Sequence, residues 1–402
     1  MPRAFEGITV IDFTQVLAGP FATQQLAFLG ANVVKVEPPG RGEGGRSIRP
    51  ANDPSPEGMG SVFLSVNAGK RSLALDLKHP DAKAVVHRLV ARADVVVQNF
   101  KVGVIDRLGF SYEALRASNP TLIYCSISGY GLSGPRARAA AYDPAVQSAS
   151  GMMQLVGTEA SGPLRTGYPL VDMATGLNAA IAICGALYRR RESGRGQHLD
   201  VAMLDSAMGL LAASYMMFMR TGSEPALLGN QSQLRTPTAD VFPAREGHVQ
   251  ITALTDVQVA GLLRILGVEH LLEDPRFATW QARVEHRIAM RELLVEAFAS
   301  RTATEWERLL AEHDVPASAV LSFPEALAQP QIVQRGFLAN PGTPAGFDEP
   351  LTVFGAAYRA SEDPPTVDRP PPAVGEHTVA VLREFGFDDA EIERLRSERV
   401  VA

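Results

Sequence analysis

Two cysteines in 402 residues, Cys125 and Cys184, leave no material for a disulfide framework or a Cys-x-x-Cys motif. Each sits in an apolar run, as a buried thiol of a reducing compartment does. A basic excess is also missing: 38 Lys and Arg against 44 Asp and Glu give a net charge of −6. That excludes a nucleic-acid partner, which needs clustered cations, but leaves room for a small anionic ligand on a local basic patch. Long hydrophobic runs are absent. The uncharged apolar stretches around 179–188 and 206–219 fall short of the roughly 20 residues that span a bilayer, so no membrane partner is expected. Glu6 and Asp12 interrupt the N-terminus where a signal peptide would be apolar, and a cytoplasmic location is expected. The eight histidines are scattered, four of them directly after a glutamate, and neither His-x-x-x-His nor a G-x-S-x-G elbow occurs. Neither a metal site nor a serine nucleophile is expected.

What is present is the composition of a globular protein, 46% hydrophobic and 20% charged, with enough chain for two domains. Short apolar runs at 8–13, 33–37, 95–99 and 122–126 and the alternating stretch 72–77 read as strands, and 20–29 and 81–91 read as helices between them. Strands separated by helices imply an α/β domain with parallel pairing. A long helix is expected over 173–191, then a methionine-rich apolar stretch to Met219. From about 227 to 327 the character is mainly helical, with one strand at 248–252. Proline-rich connectors at 341–350 and 364–372 precede a helical tail over 378–399.

Two features invite a chemical reading. Residues 129–134 (GYGLSG) form a G-x-G-x-x-G after a strand, yet no helical period follows Gly134 and no acidic residue ends a later strand. A dinucleotide site needs both, so a ligand-approaching loop or a simple turn remain the alternatives. Asp172 stands where an apolar stretch meets the long helix, and as an isolated observation it reads as an N-cap. A helix start also favours an ionised carboxylate, which is what a covalent aspartate nucleophile must be. Around these lie Lys70, Arg71, Lys78, Lys101, Arg107, Arg136 and Arg138, several of them after strands, where open α/β sheets bind ligands.

At this point the chain resembles the family III CoA-transferases (the CaiB/BaiF group, with formyl-CoA:oxalate and carnitine enzymes) nearly end to end. The likeness runs through residues 12–20 (DFTQVLAGP), 30–38 (GANVVKVEP), 69–78 (GKRSLALDLK), 126–131 (SISGYG), 171–176 (VDMATG) and 194–197 (GRGQ). It continues in 274–277 (DPRF) and 375–378 (GEHT). The resemblance implies a CoA-transferase with Asp172 as nucleophile and CoA-binding positions at Val16, Leu17, Ala18, Leu75, Lys78, Asn99, Phe100, Arg107 and Met203. Lys101 joins them as a neighbouring cation, and Arg138 and Tyr142 as residues bordering the pantetheine arm. It implies a Rossmann-like large domain from both chain ends (1–205 and 340–402), a smaller α+β domain (226–328) and linkers at 206–225 and 329–339. Its further implications are an interlocked homodimer, no permanently bound cofactor, and acyl-CoA with small carboxylic acids as substrates. Backbone amides of the 129–134 loop or of the long helix's start would stabilise oxyanions.

Two rivals share the fold. The α-methylacyl-CoA racemases need a histidine base where this chain has Tyr142, and a tyrosine, with an ordinary pKa near 10, is a poor base at neutral pH. A non-catalytic CoA-binding protein would have no need of Asp172. Pro38-Pro39 stand where some oxalate-using relatives carry an arginine, residues 229–235 (GNQSQLR) replace a glycine run, and Leu17 replaces a polar residue. Together these point away from formyl-CoA:oxalate exchange, and Leu17 suits a less polar acceptor. Succinyl-CoA is the first donor to try because it is common in the family that the chain resembles.

Overall fold

The computed structural model describes residues 3–402, which divide into two compact units. The first takes in the chain up to Met152, Thr166–Ala213 and Gln331–Ala402; the second is Met153–Arg165 with Ser214–Pro330.

The first unit is built on six parallel strands: β1 (Thr9–Asp12), β2 (Asn32–Glu37), β3 (Arg71–Ala74), β4 (Val95–Gln98), β5 (Ile123–Ser128) and β6 (Gln197–Ala202). Their order is β3-β2-β1-β4-β5-β6, the doubly wound arrangement whose direction of growth reverses between β1 and β4. The central strands are runs such as Val95-Val96-Val97 because helices cover both faces. On one face Val10, Val95, Val97 and Ile123 meet Leu26 of helix α1 (Ala18–Phe28) and Ile183 of the long helix α4 (Leu170–Ser193). On the other, Ile11, Val34 and Val96 meet Val86 and Leu89 of α2 (Ala82–Val90). Val381 and Leu395, from the C-terminal helices Thr378–Glu384 and Asp389–Ser397, complete that second layer, so both chain ends share one core. Each such fully buried aliphatic side chain contributes on the order of 2 kcal/mol.

The second unit has a three-stranded antiparallel sheet, Ala239–Pro243, His248–Thr252 and Ala317–Ala319, with His248–Thr252 in the middle. Its core stacks Phe242 on Phe298 and sets Trp306 edge-on to Phe298, with ring centroids 4.9 and 5.4 Å apart. The Trp306 indole N–H donates to Phe298 O at 2.8 Å, so the buried ring carries no unpaired donor.

Several elements differ from the sequence expectation. Strand β6 was not anticipated, because His198 and Asp200 break up its apolar content; only Leu199 and Val201 pack on the core. Pairing in β3 stops at Ala74, and Leu75 instead bridges Val401. The tail is two helices, divided where Gly386 takes φ +86°. Residues 206–225, expected as a connector, are largely helical in α5 (Met203–Leu210) and the helix Ala212–Thr221. The 24-residue α4 is long and apolar enough to cross a membrane, but its inner stripe Val171, Thr175, Ala179, Ile183 and Leu187 is buried in this unit.

Gly176 sets how closely α4 approaches α1. A Cβ at this position would lie 2.6 Å from Ala18 O and 3.0 Å from the Phe21 ring. Gly176→Ala, which in an open helix would be stabilising, is therefore expected to destabilise by about 2 kcal/mol in urea unfolding. Gly261→Ala, where an added Cβ meets only Val315 at 3.5 Å, is expected to stabilise by roughly 0.5–1 kcal/mol.

Candidate active site

A cavity of about 520 Å³ opens at the carboxyl ends of β1, β4, β5 and β6. Its walls are Gln15–Ala18 after β1, Asn99–Val102 after β4, Ile127–Gly129 at the end of β5, Ala139–Tyr142, Met203 at the start of α5, and Asp172. This is the crevice where doubly wound sheets hold ligands.

The turn after β1 is held by buried charge. Asp12 accepts from Thr14 N (2.8 Å) and Thr14 Oγ1 (2.5 Å) on one oxygen, and from Thr23 Oγ1 (2.7 Å) and Lys70 Nζ (3.1 Å) on the other. Burial pushes the Asp12 carboxyl up, but Lys70, Lys35 and the two threonines outweigh it and hold it below its ordinary range. Lys70, equally buried, is pulled down to about 8 by that burial in spite of Asp12. Lys35 Nζ donates to Thr14 O at 2.8 Å, and the Asn99 amide brackets Gln15, accepting from its N (2.9 Å) and donating to its O (2.8 Å). Val16 N donates to Glu43 Oε2 at 3.0 Å. With both neighbours fixed, Val16 is left at φ +69°, a left-handed backbone that a β-branched residue adopts only under constraint, at roughly 1–3 kcal/mol.

Asp172 is not the N-cap of α4. The helix begins at Leu170 behind Pro169, which puts Asp172 in its first turn. Asp143, buried in the first turn of α3 (Asp143–Ala149), accepts from Val171 N at 2.7 Å and Asp172 N at 3.0 Å on one oxygen. Its other oxygen accepts from Gln147 Nε2 at 2.5 Å. Leu170 N donates to Tyr168 O and Met173 N to Pro169 O, so the α4 start has no free amide for a ligand. The expected oxyanion donors at that helix start are thereby excluded. In the 129–134 loop, Gly129 lines the cavity while Leu132 N is committed to Asp200 Oδ2 at 3.0 Å. No helix opens on Gly134; the next one is α3.

Burial, with the Asp143 carboxylate beside it, pushes Asp172 up from 3.8 to about 7. It is a half-buried carboxylate in a cavity wall, more basic than an exposed aspartate.

Nine of the residues singled out from sequence come together in this cavity: Asp172, Val16, Leu17, Ala18, Asn99, Phe100, Lys101, Tyr142 and Met203. Leu75 is buried beside Glu37 O, Lys78 is exposed in the turn after it, Arg107 ends the short helix Val104–Arg107, and Arg138 is exposed before α3. These four do not line the cavity. Sequence reasoning missed Asp143, Ile48 and the alanines 137 and 139–141. The Asp143-Pro144 pair, a helix-start signature, was the available signal for Asp143. Among the described residues no cluster of His, Cys, Asp and Glu is arranged to hold a metal ion.

Because its folded-state pKa is raised, Asp172 favours the fold fully only below about pH 4, and this is lost as pH rises through 7. Asp172→Asn is expected to raise stability by on the order of 2 kcal/mol at about pH 8, with the gain vanishing near pH 4. Thermal melts of both proteins across that range check it.

The sequence profile of CoA-transferase family III matches residues 5–378. The chain is 37% identical to the succinate–glutarate CoA-transferase of Agrobacterium fabrum over 94% of this chain and 95% of that one. It is 36% identical to the acetyl-CoA:oxalate CoA-transferase of Acetobacter aceti, covering 96% and 97% of the two. A crystal structure of a CaiB/BaiF family protein from Brucella suis superposes with a TM-score of 0.85 at 35% identity, over 96% of this chain and 100% of that one.

Proposed function

The chain belongs to CoA-transferase family III, and from that premise we infer that it moves coenzyme A from an acyl-CoA donor to a small carboxylic acid through a covalent intermediate on Asp172. The observation that carries this reading is the placement of Asp172, a carboxylate titrating near neutrality, in the wall of the strand-end cavity.

The exchange divides into four balanced steps. An Asp172 oxygen attacks the donor thioester carbonyl, the carbon–sulfur bond breaks, and CoA leaves as thiolate, giving a mixed anhydride. The thiolate then attacks the aspartyl carbonyl, releasing the donor acid as its carboxylate and forming an aspartyl-CoA thioester. The acceptor carboxylate attacks that thioester, again expelling CoA thiolate, and the thiolate takes the acceptor acyl group and frees Asp172. One thioester is exchanged for another, so the sequence consumes no proton, ATP or redox equivalent and replaces one high barrier by several moderate ones.

Exposed Lys78, Lys101 and Arg107, after β3 and β4, supply positive charge for the CoA phosphates, with Arg138 nearby in sequence to Tyr142. Phe100 offers an apolar contact, and Gly129 is the remaining backbone candidate for an oxyanion donor. Succinyl-CoA is the first donor to try, because several relatives carry it in their names, including the succinyl-CoA:mesaconate CoA-transferase of Haloarcula hispanica. An interlocked homodimer belongs to the same reading. The exposed Leu177, Ile181 and Tyr188 along α4 supply apolar surface for a subunit contact.

Incubation with acetyl-, formyl- or succinyl-CoA, fast quenching and intact-mass measurement is expected to show a CoA increment that maps to the Asp172 peptide. In Asp172→Ala the increment is lost and turnover falls by at least about 10³-fold with the fold intact. Equal turnover in both proteins would remove Asp172 from the mechanism. Light scattering is expected to report a dimer, and a monomer contradicts that part of the reading.

A further inference from the structure

Resting on the assignment of Asp172 as nucleophile, we propose that Asp143 is a positioning residue that takes the helix-start amides away from Asp172 and sets a fixed negative charge beside it, so that the free, ionised enzyme is destabilised relative to its covalent intermediates.

The geometry gives the argument. A carboxylate in the first turn of a helix is ordinarily stabilised by the free N–H groups there and by the helix dipole. In α4 those amides are already engaged: Val171 N and Asp172 N both point to Asp143 Oδ2, at 2.7 and 3.0 Å, and the flanking pair to backbone carbonyls. Asp143 is 4% exposed and accepts three N–H donors with the Gln147 amide, the pattern of an ionised, acceptor-only carboxylate. Gln147 is itself fixed, since its Oε1 accepts from Thr166 N at 2.9 Å and its Nε2 also donates to Thr166 Oγ1 at 2.8 Å. The second charge is therefore locked in place and cannot swing away when Asp172 ionises.

Other titratable groups surround the site without opposing this. Tyr142 precedes Asp143 and Lys101 lines the same cavity, both exposed to solvent, and Asp205 lies on α5. Arg136 and Arg138 lie exposed in the segment before α3, outside the lining. Asp143 is the charge that raises Asp172, after burial.

The consequence for the reaction is a difference between states. In the free enzyme the Asp143 carboxylate, hydrogen-bonded to the backbone amide of Asp172, acts on the ionised Asp172 side chain in a half-buried site. When Asp172 attacks the thioester its negative charge passes to the CoA thiolate and leaves as the donor carboxylate, so the anhydride and the aspartyl thioester carry no charge opposite Asp143. Repulsion present in the ground state and absent in the intermediates favours the forward covalent step and makes the attacking oxygen more basic.

Asp143→Asn keeps an oxygen acceptor for the α4 amides while removing the charge, and Asp143→Ser is a second neutral variant with a helix-capping hydroxyl. The measurement is kcat/KM against pH with one acyl-CoA donor, together with the equilibrium proportion of enzyme–CoA thioester by intact mass. The wild-type acid limb is expected near pH 7, reporting the free enzyme. In a folded neutral variant that limb moves down by about one pH unit, kcat at about pH 8.5 falls roughly fivefold with KM within about twofold, and the thioester proportion drops. A folded variant whose limb stays at the wild-type position overturns the proposal. Failure of both neutral variants to fold also overturns it, because the charge would then serve the structure alone. An adduct on Asp172 in the wild type with an unchanged limb in the variants sinks this inference only; no adduct in the wild type sinks the nucleophile assignment beneath it.

Discussion

The contact between Lys70 and Asp12, two fully buried ions 3.1 Å apart, is the constraint on which the site depends. Asp12 ends β1, Lys70 immediately precedes β3, and Lys70 Nζ also donates to Pro20 O in α1 and to Asn67 Oδ1. A pair of this kind is weak evidence for net stability, since an apolar pair of similar volume is often as stable. What it fixes is position. The turn that leaves β1 has no freedom to relax, and Val16 stays in a backbone region that a free turn would leave. Glu37, which ends β2, holds the next segment in the same way through a bidentate contact with buried Arg46, at 2.7 Å for each bond. The strand ends therefore present a rigid rim, with chain geometry set by charge rather than by side-chain volume.

This rim explains why so much of the site lies within backbone-defined segments and so little on free side chains. Val16, Leu17 and Ala18 enter the cavity wall because α1 must begin there, and α1 must begin there because Gly176 admits Ala18 O against α4. That same close approach fixes the first turn of α4, one turn before Gly176, where Asp172 lies. Asp172 and the turn are thus registered against each other through one glycine and two helices. Few of the intervening parts can yield without moving both.

The legible parts of the molecule were those governed by local pattern. Short apolar or alternating runs gave five of the six parallel strands, and no helix opens on Gly134, in line with the missing helical period after the glycine-rich loop. The site residues in the cavity were found mostly through family resemblance, since nothing in the periodicity of Val16 or Met203 distinguishes them from core. What could not be read was determined by contacts between distant segments. β6 is a strand because Gln197–Ala202 finds β5, although His198 and Asp200 dilute its apolar signal; His198 is accommodated by the tilted ring of Tyr112, the edge-on ring of Tyr124 and Ser126 Oγ at 2.9 Å. Asp172 looked like a cap because Asp fits that role, whereas the residue that serves the helix start is Asp143, 29 positions earlier.

That exchange of roles carries the last step of the argument. One sequence position offers a carboxylate suited to capping, and another offers a carboxylate suited to attack; the fold assigns them by burial and by which amides each can reach. Had Asp172 received the α4 amides, it would be a satisfied, weakly basic anion of the sort found at many helix starts. Because Asp143 takes them, the half-buried Asp172 has a like charge for a neighbour instead of those donors, and its carboxyl is held well above the usual range. The two aspartates have the same side chain, yet one accepts the amides of the α4 start while the other is pushed up to about 7. Identity of the residue did not decide this; burial did first, and the neighbouring Asp143 charge after it.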